Sequence, residues 1–160
     1  MTSTNPIGRG FELAAERCED LTPLAYRRLA AAYPETLTMF RSEGSELVKG
    51  SMLAMTIEAI LDFAGERSGK FRMIECEVIS HDGYGTPREL FVAFFGVIRD
   101  TLRDVLGREW SRDIDEAWEG LLADIAVLAV RTEASHCTNS VRRFPARCRM
   151  GGVIASIVRH

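Results

Sequence analysis

From about residue 10 to about residue 132, apolar positions recur at helical spacing. No five-residue stretch alternates apolar and polar positions in the way a half-buried strand requires. The pattern predicts an all-α domain over residues 10–132, preceded by a flexible arm over residues 1–9. Thr22 and Pro23 read as the N-cap and first-turn proline of a helix through residue 32, and Pro34 starts a shorter turn that runs to Phe40. Ser45 caps a long segment in which Val48, Met52, Met55 and Ile60, with Leu53, Ile57 and Leu61, keep helical periodicity until Gly65 and Gly69 interrupt it. Residues 71–81 form the next helix, stopped by the turn that begins His81-Asp82-Gly83. Thr86, Pro87 and Glu89 supply a cap, a first-turn proline and a capping-box acid for a helix to about residue 106. Ser111 caps the last helix, which carries Trp118, Leu121, Leu122, Ile125, Leu128 and Ala129 on one face.

Composition narrows the class without changing it. A chain of 160 residues, 46% hydrophobic and 27% charged, is long enough to bury roughly two-thirds of its unfolded surface as one domain and too apolar for disorder. Its apolar runs fall short of the ~20 residues of a membrane span, and the first residues lack the pattern of a secretory signal, so a soluble, cytoplasmic protein is expected. Cys18, Cys76, Cys137 and Cys148 lie far apart, which favours reduced thiols. Charge is uneven: residues 131–160 hold six arginines against one acid, Glu133, and the rest of the chain carries the acidic excess. An acidic body argues against nucleic-acid binding by the main domain. Residues 133–160 read as a basic, loosely ordered tail whose Val153, Ile154, Ile157 and Val158 are too few to form a stable helix alone.

Several chemical motifs fail on spacing. Residues 65–70, GERSGK, have three residues between the glycines instead of four, and Phe71 where a phosphate loop needs Ser or Thr. His136, Cys137, Cys148 and His160 lack both the C-x2-C and the H-x3-5-H spacing of zinc sites. Ser80 and His81 are adjacent on a helix and point about 100° apart, so they make no nucleophile and base pair. No Gly-x-Gly-x-x-Gly is present, and with it no sign of a flavin or nicotinamide domain.

What survives is one histidine. His81 is the only histidine before the tail and ends an apolar helical face formed with Ile74 and Val78. Singly, such a residue is more often a cap or a partly exposed side chain than a ligand. Its setting matters more: Tyr26, Pro34, Phe40, Lys49, Leu53, His81, Tyr84 and the pair Ala117 and Trp118 follow in a definite order. The segments AYRRLAAAYPETLTMF, SHDGYG, LFVAFFGVIRDTLRDVLGREW and DEAWEGLL carry a likeness that spans about residues 10 to 130. On these the chain resembles the bacterial globins, in particular the haem domain of flavohaemoglobins and their single-domain relatives.

The resemblance implies a helical sandwich around one haem b, iron protoporphyrin IX, with His81 as proximal iron ligand, Tyr84 in the turn after it, and Phe40 stacked on the porphyrin. It puts Tyr26 at the distal tyrosine position, with Lys49 and Leu53 on the distal helix. Phe40 as ordinary core packing and Tyr26 as a core tyrosine bonded to a backbone carbonyl stay open as alternatives. Two departures stand out. Lys49 occupies a distal position where relatives carry Gln or His, and it could reach outward to a haem propionate, donate to a bound ligand or coordinate iron; the outward salt bridge ranks first because an ammonium is costly to bury. The tyrosine and glutamate that polarise the proximal imidazole in flavohaemoglobins correspond to Phe91 and Ser135, with Glu133 nearby, so that relay is missing at least in part. The expected function is reversible binding of oxygen, nitric oxide or carbon monoxide, extended to nitric oxide dioxygenation where an external reductase returns the iron to the ferrous state. The alternatives are a gas or redox sensor whose tail addresses a signalling partner, and a globin fold without haem.

Overall fold

The computed structural model describes residues 5–39, 45–69 and 72–138, and among them the chain is helical with no strand. Six α-helices follow in order: α1 (Pro6–Ala15), α2 (Thr22–Ala32), α3 (Ser45–Ala64), α4 (Arg72–Gly83), α5 (Arg88–Leu106) and α6 (Arg112–Thr138). Tight 3-10 turns occupy Pro34–Thr38 and Gly107–Glu109. None of the described helices is long and apolar enough to cross a membrane.

Local chemistry sets the boundaries, in places differently from the sequence expectation. The Asn5 side chain accepts the Ile7 N–H at 2.9 Å with Pro6 in the first turn, so α1 begins inside the stretch expected as an arm, and Ile7 is buried. Asp20, not Thr22, organises the start of α2: its carboxylate accepts the Thr22 N–H at 2.8 Å, and bonding from Thr22 holds the carboxyl below its ordinary range. Helix α4 continues two residues beyond His81, placing that residue inside the last turn. The N–H groups of Tyr84 and Thr86 return to the His81 carbonyl at 3.1 and 2.9 Å and close the helix. Pro87, with ψ of 136°, takes the cap position of α5 without a side-chain bond; the expected capping box does not form, because Thr86 lies one residue too early to reach it. At α6 the expectation holds, with the Ser111 hydroxyl accepting the Ile114 N–H at 3.4 Å. That helix runs on to Thr138, and the rest of the basic tail lies outside the described residues.

Helix α5 is the hub and packs on α1, α2, α4 and α6, while α3 closes against α1, α2 and α4. Leu90, Phe95, Val97, Ile98, Leu102 and Leu106 of α5 are buried. From α6, Trp118 enters the same core fully buried, its ring 6.0 Å from Phe11 of α1. On α3 the apolar face is narrower than its sequence suggests: Leu53, Ala59, Ile60 and Phe63 are buried, but Met55 and Leu61 are exposed. Met55 lies about 200° around the helix from Leu53, on the opposite side.

Candidate functional site

Helix α4 sets His81 through its own backbone. The Nδ1 atom lies 2.7 Å from the carbonyl oxygen of Glu77, one turn earlier. A carbonyl only accepts, so Nδ1 carries a proton, and Nε2 is the nitrogen left to serve as a metal ligand. The ring is mostly buried and tilts against Phe91 of α5, with centroids 5.0 Å apart. Phe91 packs in turn on Phe95 at 5.5 Å. After His81, Asp82 pairs with Arg88 through two bonds of 2.9 and 2.8 Å, and Arg88 also donates to the Ala129 carbonyl of α6 at 3.0 Å. The turn that follows the histidine is thereby tied to both α5 and α6.

Tyr26 of α2 also packs on α5. Its ring lies 5.5 Å from Phe94, one helical turn along from Phe91. The side chain is buried, and burial, helped by the Glu46 carboxylate, pushes the phenol well above its ordinary value, so the hydroxyl stays protonated and able to donate. Tyr26 and Ala30 of α2, Thr36 and Leu37 of the following turn, and Lys49 of α3 line a cavity of about 70 Å³. That space suits a water or a diatomic molecule and is far below the ~300 Å³ at which small-molecule pockets begin. Lys49 bonds Glu46 at 2.6 Å, and its ammonium sits 5.7 Å from the centre of the Tyr26 ring. With its side chain 18% exposed, the lysine lines the cavity while its ammonium pairs with the exposed Glu46 carboxylate beside the Tyr26 ring face.

The structure therefore brings Tyr26 and Lys49 together at one cavity and sets His81 against the same helix, α5, through Phe91. Leu53 is buried in the core, one turn beyond Lys49. Tyr84, half-buried, closes the turn after His81. Phe40 lies outside the described residues, and so do the side chains of Glu133 and Ser135 on α6. Sequence reasoning passed over Glu46, Glu77 and Phe94, although each stands three or four residues from a partner it names: Lys49, His81 and Phe91. Among the described residues no three His, Cys, Asp or Glu side chains gather in a way that could hold a metal ion. The donor chemistry fits haem: an imidazole whose Nδ1 is engaged by a backbone carbonyl, leaving Nε2 as the ligating nitrogen, backed by aromatic carbon. No protein-family model, no curated protein and no solved structure matches the chain.

Proposed function

We propose that this chain is a haem-binding globin that takes up oxygen or another diatomic gas reversibly, with His81 as the iron ligand and Tyr26 on the ligand side. The observation that carries the reading is the Nδ1 bond of His81 to the Glu77 carbonyl, which commits one ring nitrogen and leaves the other for a metal. A metal bound there by a single described side chain needs further ligands, and a porphyrin supplies them. The order of the helices agrees, with the histidine on α4 and the tyrosine on α2 packed against Phe91 and Phe94, one turn apart on α5.

Haem iron held by His81 would supply a centre for reversible binding of a diatomic gas and, with an outside reductase, for nitric oxide dioxygenation. The chain's own residues do the rest. Tyr26, kept protonated, donates a hydrogen bond toward negative charge that develops in its cavity. Lys49 is neutralised in part by Glu46 and keeps a positive charge at the cavity wall. Phe91 offers carbon to His81, with no hydroxyl to polarise it from that side. Leu53 keeps the adjoining core apolar.

The test is the visible spectrum of the haem-reconstituted protein, oxidised and reduced, with and without carbon monoxide. Wild type takes one haem and shows an imidazole-ligated ferrous spectrum; His81→Ala loses it. Failure of wild type to take up haem, or an alanine variant with an unchanged spectrum, overturns the proposal. A second reading, a sensor that addresses a partner, draws on Val127 and Val130 of α6, which stand 50% and 65% exposed just before the basic segment.

A further inference from the structure

We propose that Glu77 positions and polarises His81 from within α4, so that a metal at Nε2 meets a more strongly donating imidazole; this rests on the haem reading above. The two residues stand four apart on the helix and share a face. Glu77 presents two oxygens to the same nitrogen. Its main-chain carbonyl accepts the Nδ1 proton at 2.7 Å, and its carboxylate Oε2 lies 3.6 Å from Nδ1. That Oε2 is buried and has no hydrogen-bond partner among the described residues. Buried polar atoms are nearly always satisfied, and an exception calls for an explanation. The other acid beside the histidine differs in this respect: the Asp82 carboxylate is held by the Arg88 guanidinium, which takes up its charge. The Phe91 ring on the other side offers no polar atom.

A carboxylate near the non-ligating nitrogen of a metal-bound imidazole fixes the tautomer and raises the ring's basicity. Here the proton stays on Nδ1, bonded to the carbonyl, and the negative charge of Glu77 acts across the short remaining gap to favour electron density at Nε2. The polarising acid thus comes from the histidine's own helix, although Phe91 stands where a hydroxyl was expected.

The experiment compares haem-loaded full-length wild type, Glu77→Gln and Glu77→Asp, with circular dichroism to confirm folding. Glu77→Gln lowers the iron–histidine stretching frequency of the ferrous, ligand-free protein in resonance Raman, raises the midpoint potential, and loses haem about tenfold more readily. Glu77→Asp, with the charge kept but withdrawn, falls between the two. A purely structural glutamate would move haem retention and leave the stretch and potential alone. If Glu77→Gln keeps both at wild-type values, Glu77 has no polarising role and the haem reading stands. If glutamine cannot fold, an aspartate variant with the wild-type stretch and potential overturns the role equally. Failure of wild type to take up haem sinks both proposals.

Discussion

Replacing Tyr26 with phenylalanine removes one oxygen atom from a buried site and has consequences with and without haem. The Tyr26 side chain is 7% exposed and faces Phe94, with the Glu46 carboxylate adding to the burial that keeps the phenol protonated. In the unfolded chain a tyrosine ionises near pH 10. Above that pH the unfolded state has released a proton that the folded state still holds, so stability falls as pH rises, at about 1.4 kcal/mol per pH unit. The stability is fully present below pH ~10, where both states are protonated. Between pH 9 and 11 wild type should therefore lose about 1.4 kcal/mol relative to Tyr26→Phe, whose ring has nothing to ionise. Urea unfolding of the two haem-free proteins, followed by circular dichroism at several pH values, measures this directly. Parallel curves across that range would refute the claim that the hydroxyl is buried and protonated. In the haem-loaded protein a hydrogen bond to charge developing on oxygen is worth ~1.5 to 3 kcal/mol, about ten- to a hundredfold in release rate. Stopped-flow release that is equally fast in both proteins would reduce Tyr26 to a core residue.

Two further outcomes follow from the packing and from the motifs. Trp118→Ala, which empties a fully buried site against Phe11, should cost about 3 to 5 kcal/mol in urea unfolding; a loss under about 1 kcal/mol would mean that the core does not close around that ring. With haem bound, NADH alone should not sustain nitric oxide consumption, because the sequence holds no nucleotide-binding glycine motif, and adding a competent reductase should restore repeated turnover. Sustained turnover with NADH and no added protein would show that the chain itself accepts hydride electrons.

The helices are legible because their apolar faces repeat every three or four residues, and on α6 Trp118, Leu121, Ile125 and Ala129 are buried as that periodicity predicts. Ends were less legible. Whether a residue caps a helix depends on which neighbour reaches the free N–H first: Asp20 reaches Thr22, and Pro87 takes the cap position that leaves Thr86 outside α5. The start of α1 had a usable signal in Asn5-Pro6, a cap followed by a first-turn proline, but only one turn of apolar periodicity stands behind it before residue 10. Met55 and Leu61 show the opposite limit. In a helix apolar on several sides, periodicity finds the helix but not which side faces inward.

At the site, residue types were legible and their electrostatic company was not. A lysine on a distal helix reads as outward-facing because burying an ammonium is costly. That argument omits Glu46, three residues back, and the Tyr26 ring across from α3, which both partner the ammonium. The same omission applies to His81: Glu77 stands one turn away on α4, its carboxylate 3.6 Å from Nδ1. Both omissions have one cause. Helical neighbours at i, i+3 and i, i+4 lie 5–6 Å apart at Cβ, close enough for a carboxylate to set the state of a cation or an imidazole before any tertiary contact forms. Around this site the charges that matter are local pairs within single helices, Glu46 with Lys49 on α3 and Glu77 with His81 on α4, and α5 contributes the aromatic carbon of Phe91 and Phe94 between them.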